Sequence, residues 1–375
     1  MSVPLSRLPE LYAPVETIET PAILVDLDVM DRNMRRMEQL VVEHDVALRS
    51  HAKTHKIADI AHQQVALTNA RGIMCQTLDE CVHMARNGIE DIHLARMVVT
   101  RPKVERVVKL ADEIDHFVIS VDGPANFEPL QETANRRGVT VNVVLEIDVN
   151  VGRTGVAPND ALETARSIQA QPNLQFEGIL GHDGLVKTTA ETVEAYEEAI
   201  AETVGSLRGV VETLEADGIA VSEVKTGSSA TAGYAVQHSD VTEINPGRYP
   251  FFDGLHVRYD PRVTVDDCAV SVLTTVISKP TTDRVVVDAG SKIISPIGDP
   301  KPISTASSAI RYRAASSEHG TVDVSEYDGT VEVGDQLEFI VPSVNHSINL
   351  VDSLIGVREE RVEAIWEVQA RGASK

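Results

Sequence analysis

The densest run of groups able to do chemistry is Arg49-Ser50-His51-Ala52-Lys53-Thr54-His55-Lys56. It begins in the apolar stretch Val46-Ala47-Leu48 and leads into a helical pattern through Ile57, Ile60, Ala61, Val65 and Ala66, so it reads as strand, turn, helix. Lys53 then stands at the carboxyl end of a strand. An amine held among cationic neighbours has its pKa depressed, which frees a lone pair to attack a carbonyl and makes a Schiff base feasible. The same eight residues could instead form a solvated basic turn.

Polar groups recur wherever a short apolar run ends: Gln76 with Thr77, Arg96, Asp122, Asp148 through Arg153, His182 with Asp183, Thr226 through Ser229, and Pro246-Gly247-Arg248-Tyr249. Gly227-Ser228-Ser229-Ala230-Thr231 offers backbone N–H groups at a helix start together with hydroxyls, and Gly247 and Tyr249 could close its other side. That combination suits a phosphate, although a glycine-serine turn also serves as an ordinary helix cap.

The elements that must position these groups alternate. Strands are expected at Val46–Ser50, Gly72–Cys75, Asp91–Leu94, Phe117–Ser120, Val141–Ile147, Phe176–Leu180, Ser222–Lys225 and Val241–Ile244. Between them lie helical patterns such as Asp79–Asn87, Lys103–Asp112, Asn126–Arg137, Asp160–Gln169 and Ala190–Glu215. Eight strands each followed by a helix predict an α/β fold, a TIM-like (β/α)₈ barrel whose strands are parallel and whose active site sits at their carboxyl ends. The stripe Met30, Met34, Met37, Leu40 and Val41 before the first of them reads as core packing. After Tyr249-Pro250-Phe251-Phe252-Asp253 the rhythm changes. Strand-like runs at Ala269–Ser278, Arg284–Asp288, Gly320–Val324, Gln336–Val341 and Arg361–Val368 predict an all-β domain, a small barrel or sandwich, with a boundary near residue 255.

Composition narrows the function. With 57 acidic against 34 basic residues the net charge is −23, which opposes binding to nucleic acid or to an anionic membrane surface. No apolar run reaches the roughly eighteen residues of a membrane span, and Met1 to Ala13 lacks the layout of a signal peptide. Cys75, Cys81 and Cys268 fall in no metal-binding spacing and cannot pair evenly, so a cytoplasmic protein in a reducing compartment is expected. The spread of acidic side chains along the helices is compatible with a high-salt host or an ordinary acidic bacterial enzyme.

The Arg-Ser-His-Ala-Lys-Thr-His-Lys segment resembles the lysine motif of the fold-type III, alanine-racemase-like pyridoxal phosphate enzymes, in the branch with D-threonine aldolase, D-serine dehydratase and 3-hydroxyaspartate aldolase. The resemblance runs from Thr20-Pro21 to Ala370-Arg371-Gly372. It implies that Lys53 holds pyridoxal 5'-phosphate, that Gly227, Ser228, Ser229, Gly247 and Tyr249 hold its phosphate, and that Arg153 lies beside its ring oxygen. Arg153 could equally be a structural arginine paired with Glu146 or Asp148. His182 would pack against the pyridine face, though a strand-end histidine can be a simple surface residue. Many D-threonine-aldolase-like members have a histidine where Leu185 stands, which argues against proton transfer from that loop. Asn245 occupies a place where alanine racemases carry arginine, and this tilts the reading away from racemisation. Serine between Arg49 and His51, where many members have proline, is similar to 3-hydroxyaspartate aldolases.

On the same resemblance the barrel covers 27–255, while 1–26 joins 256–375 in the β domain. There, Asp288–Lys292, Ser317–Gly320 and Val344–Leu350 match family segments, and His346 would be both a metal ligand and the base for a β-hydroxyl. Ile348 stands where relatives carry an aspartate or cysteine ligand, and an isoleucine cannot bind a divalent ion such as Mg, Mn or Zn. Another residue such as Asp352 or a water-rich sphere could complete such a site, or the metal could be absent. The activity implied is a lyase splitting a β-hydroxy D-amino acid such as D-threonine or 3-hydroxyaspartate. The alternatives are a dehydratase of D-serine or 3-hydroxyaspartate, a racemase, and a non-catalytic carrier of the cofactor. A homodimer with a small-molecule substrate is expected.

Overall fold

The computed structural model describes residues 8–184, 186, 190, 192–295 and 300–375; residues 1–7 and the position of Leu185 lie outside the described residues. Contacts divide the chain into two compact units, one of Met1–Arg35 with Arg248–Arg371 and one of Arg36–Gly247 with Gly372–Lys375. Among the described residues no helix is long and apolar enough to cross a membrane.

The strand of the first unit that comes first in the chain is β1 (Ala22–Asp26). The second unit then contributes β2 (Ala47–His51), β3 (Ala70–Cys75), β4 (Asp91–Leu94), β5 (His116–Val121), β6 (Val141–Ile147), β7 (Leu174–Gly181), β8 (Glu223–Lys225) and β9 (Glu243–Ile244). These eight close into a parallel barrel in sequence order, with β2 beside β9. All eight expected strands are present, the last shorter than its apolar pattern suggested.

Alternation along each strand explains the layering, because successive side chains point to opposite faces. Ile92, Leu94, Ile119, Val121, Val143, Leu145, Ile179 and Val224 point outward into one large core with the surrounding helices. Those helices start where the sequence supplies signals: Thr77 and Glu80 form a capping box before Leu78–Arg86, and a proline opens Pro124–Arg137, which Gly138 ends in the left-handed region. The inward face is different. One small apolar layer of Met74, Val118, Val144 and Leu180 is joined by a charged network. Arg49 on β2 is fully buried, with Nε 3.1 Å from Glu243 of β9 and Nη1 2.5 Å from Asp91 of β4. Lys225, also fully buried, reaches Glu223 at 2.7 Å and Glu243 at 3.4 Å.

At the amino-terminal end of the barrel His116 lies between Asp91 and Glu177, each at 2.8 Å. The hydrogen bond to Asp91, then the one to Glu177, raises its pKa to about 9 against the opposing effect of burial. A histidine raised in the folded state stabilises fully below its unfolded value of about 6.5, and that contribution is lost as the pH rises through about 9. Replacing His116 with glutamine is therefore expected to flatten the decline of thermal stability between pH 6.5 and 9, read as Tm against pH for both proteins; parallel curves would contradict the assignment.

The first unit carries a nine-stranded sheet. Besides β1 it holds β10 (Val270–Thr281), β11 (Arg284–Val287), β12 (Ile303–Ser304), β13 (Arg311–Ala315), β14 (Gly320–Asp323), β15 (Gln336–Ile340), β16 (Ser353–Arg358) and β17 (Arg361–Glu367). Their order is β11-β14-β13-β12-β15-β10-β1-β16-β17, and the pairing of β10 with both β11 and β15 closes six of them into a ring. The early strand β1 pairs antiparallel with β10 and parallel with β16. Sequence patterning missed β12, β13 and β16. The first has two residues, and Arg311-Tyr312-Arg313-Ala314-Ala315 shows little apolar alternation while Gly356 interrupts β16.

Candidate active site

Strand β2 ends at His51, and Ala52–Thr54 turn immediately in one 3-10 turn that carries Lys53. The turn is not a solvated one. His55 is fully buried, with Nε2 3.1 Å from Gln64 Oε1, and burial pushes its pKa down to about 4. Lys56 pairs with Glu80 at 3.3 Å, and Glu80 also accepts the N–H groups of Gln76 and Thr77 at 2.8 and 3.2 Å. His51 Nδ1 accepts the Lys53 N–H at 3.5 Å, and Nε2 lies 3.3 Å from Gln76 Oε1. Burial, reinforced by the charge of Lys53 and more weakly by His182, holds the His51 imidazole well below its usual pKa and hence neutral. Lys53, His51 and His182 thus share one electrostatic neighbourhood at the carboxyl ends of β2 and β7.

The strand ends next to β2 are those of β9 and β8. Gly227, after β8, has φ +106°, and a Cβ there would come within 2.8 Å of Ile244 Cγ2. At Gly247, after β9, a Cβ would sit 3.0 Å from the His51 carbonyl oxygen and 3.1 Å from Thr54 Oγ1. Only glycine lets the backbone run this close. Among the described residues no protein acceptor takes the N–H of Gly227 or Gly247, and the buried hydroxyls of Thr54 and Thr226 have no partner. A phosphate-sized anion would satisfy such groups. Ser228 and Ser229 are half-buried in the same turn. The Ser228 N–H donates to Thr231 Oγ1 at 2.7 Å and to Asp183 Oδ2 at 3.3 Å, and the Thr231 hydroxyl donates to the same Asp183 oxygen.

Arg153 is exposed in the loop after β6, 3.6 Å from Glu146, whose Oε1 also accepts the Thr154 hydroxyl at 2.7 Å. Burial raises the pKa of Glu146, opposed by Thr154 and Arg153. Asn245 donates from Nδ2 to Glu243 Oε1 at 2.9 Å, which ties its amide to the Arg49 network below. Eight of the expected residues, Lys53, Arg153, His182, the three of the Gly227–Ser229 turn, Asn245 and Gly247, therefore sit on the carboxyl-end rim of one barrel.

Tyr249 and His346 belong to the other unit. Tyr249 is buried. Its neighbour Arg248 donates to Asp253 at 3.2 Å and to Asn345 Oδ1 at 3.2 Å, and the fully buried Asp253 also accepts the Val344 N–H at 3.0 Å and pairs with His256 at 2.8 Å. His256 and Arg248 hold the Asp253 carboxyl down at about 2 against burial. This fastens the short helix Val344–Ile348, on which His346 is exposed, to the Arg248 segment. Ile348 is fully buried, and Asp352 pairs with Arg371 at 2.5 Å. Among the described residues no three His, Cys, Asp or Glu side chains gather to hold a metal.

Sequence reading quoted Arg49 and Asp183 without giving either a role, and it gave Glu243 and Asp253 none. A signal existed for Arg49: it shares a strand face with His51, two residues on, and a charged side chain on the inward face must find partners within the barrel.

Comparison with known proteins agrees with this architecture. The family model of the alanine racemase N-terminal domain matches residues 25–253, and that of the D-serine dehydratase domain matches 269–357. The chain belongs to the alanine-racemase-like family, in the branch of D-threonine aldolase and 3-hydroxyaspartate aldolase. It is 33% identical over 366 residues to a D-threonine aldolase from Arthrobacter sp., covering 96% of this chain and 95% of that one. It is 30% identical over 362 residues to a 3-hydroxy-D-aspartate aldolase from Paracoccus denitrificans, covering 95% and 92%. The crystal structure of D-threonine aldolase from Filomicrobium marinum superposes with a TM-score of 0.91 at 29% identity, over 98% of this chain and all of that one.

Proposed function

We propose that this chain is a pyridoxal-phosphate-dependent lyase that splits a β-hydroxy D-amino acid into glycine and an aldehyde. The observation that carries this reading is Lys53 on the end of β2, beside His51 held neutral by burial and in the same electrostatic neighbourhood as His182, with two glycine-built turns holding unpartnered donors on the adjoining ends of β8 and β9. The family to which the chain belongs works typically with that cofactor, and the donor set fits it. Lys53 would hold its aldehyde carbon, Gly227, Ser228, Ser229, Gly247 and Tyr249 its phosphate, Arg153, His182 and Asn245 its ring. When bound, the cofactor supplies the electron sink that holds the pair left on Cα as the Cα–Cβ bond breaks.

The chain's own groups do the rest. His51, kept neutral by burial, accepts the Lys53 N–H and so fixes the turn without placing a second positive charge under the amine. A base must take the β-hydroxyl proton, and exposed His346 is the proposed one. D-Threonine and D-3-hydroxyaspartate are the proposed substrates. Turnover of D- but not L-threonine to acetaldehyde supports the assignment; equal turnover of the enantiomers, or none by the cofactor-loaded protein, overturns it. A dehydratase is the second reading, favoured by the serine dehydratase match over 269–357.

For a divalent ion the donor set does not fit: His346 has Ile348 two residues on, and Asp352 is spent on Arg371. Treatment with a chelator is expected to leave lyase activity within about twofold, since one imidazole seldom makes a site; a loss of tenfold or more, restored by Mg, Mn or Zn, would mean that ligands come from elsewhere. A homodimer is the proposed assembly, and three buried free cysteines support a cytoplasmic, reducing setting.

A further inference from the structure

We propose that Asp183 is a positioning residue that clasps the phosphate turn of this enzyme, an inference that rests on the cofactor assignment above. Asp183 follows β7, is buried to 3% exposure, and lies 48 residues from its partner Thr231 in the turn after β8. One of its oxygens takes two donors from that turn, the Thr231 hydroxyl and, at 3.3 Å, the Ser228 N–H. Thr231 has one hydroxyl proton. Giving it to Asp183 leaves Thr231 Oγ1 an acceptor, and it accepts the Ser228 N–H at 2.7 Å and lies 2.9 Å from Ser228 Oγ.

With the Thr231 proton on Asp183, the Ser228 N–H is tied to that carboxylate both directly and through Thr231 Oγ1, which also lies 3.4 Å from the Ser228 carbonyl oxygen. The consequence falls on Gly227, one residue before Ser228, which takes a φ of +106° open to glycine. Ile244 of β9 fills the space a Cβ would take at Gly227, and the Asp183 clasp fixes the next residue, Ser228. Without the clasp the turn is free to relax, and the Gly227 N–H loses its fixed aim. A bare carboxylate near a phosphate would repel it. Here one carboxylate oxygen is engaged by a hydroxyl and an amide N–H and faces the turn rather than open solvent. That separates the two conservative changes: asparagine keeps a carbonyl acceptor, whereas alanine leaves the Thr231 hydroxyl and the Ser228 N–H buried without one.

The test compares affinity for pyridoxal phosphate with affinity for pyridoxal, which lacks only the phosphate, by absorbance titration of the full-length parent, D183A, D183N, T231V and T231S. D183A and T231V should bind pyridoxal phosphate about tenfold or more weakly, as expected for the loss of turn-ordering hydrogen bonds, and pyridoxal within about twofold of the parent. D183N and T231S should restore affinity to within about threefold, which a residue serving only general stability would not produce. Unchanged pyridoxal affinity also shows that each variant is folded. D183A weakening both ligands equally, or neither, overturns the clasp. If the parent itself binds no pyridoxal phosphate, the cofactor assignment falls and the clasp falls with it, an outcome distinct from a parent that binds while D183A is indifferent.

Discussion

Replacing Lys53 with alanine abolishes the near-visible absorbance of the cofactor-loaded protein and lowers turnover of D-threonine by on the order of 10³-fold or more, the scale expected when a covalent anchor is removed. Among the described residues Lys53 stands at the carboxyl end of β2, while Lys56 is committed to Glu80 and Lys225 to Glu223 and Glu243 inside the barrel. Noncovalent binding can survive the change, because the glycine turns after β8 and β9 are untouched by it. The variant should therefore take up pyridoxal phosphate with the spectrum of the free aldehyde. A variant that keeps the parent's band would move the anchoring role to another residue and remove the mechanism proposed here.

Cutting one member out of the charged barrel interior should cost more stability than any surface change. Arg49 lies between Glu243 and Asp91, and Glu243 is itself fully buried. In R49M those carboxylates lose their shared cation and Glu243 keeps only Lys225 and the Asn245 amide, a loss of roughly 3–5 kcal/mol by the usual cost of a broken buried pair. Removing both members is gentler, because an apolar pair of similar volume leaves no bare charge. The double variant R49M/E243L is thus expected to fall well short of the sum of the two single losses, read as urea unfolding midpoints of the four proteins. E243L would also release the Asn245 amide, which no other described partner holds in place of Glu243. Single variants within about 1 kcal/mol of the parent would show that the network is wet and relaxed rather than buried and paired.

These two sites show how unevenly the chain discloses itself. Strand spacing and helical periodicity were enough for the barrel, because Ile92, Leu94, Ile119 and Val121 repeat with period two and pack outward against helices. Strand ends then singled out Lys53, Arg153, His182 and the Gly227 turn, since in such a barrel position alone puts a residue at the mouth. What could not be read was pairing across sequence distance. Arg49 meets Glu243 after 194 residues and Asp183 meets Thr231 after 48, and neither partner carries a local mark of the other. In the β domain the losses had a different cause: β12 and β13 are short or polar, and they are strands because neighbouring strands supply their hydrogen bonds. At His346 the sequence already showed why the described residues gather no three ligating side chains there, since an isoleucine stands two residues on.

The most direct measurement is product analysis of D-3-hydroxyaspartate incubated with the pyridoxal-phosphate-loaded protein. Cleavage of Cα–Cβ, with the β-hydroxyl proton removed and Cα protonated, yields glycine and glyoxylate in equal amounts, and that is the result predicted. Oxaloacetate with ammonia, in place of glycine and glyoxylate, would mean that the hydroxyl leaves instead of the carbon–carbon bond breaking, and would contradict the lyase assignment in favour of dehydration.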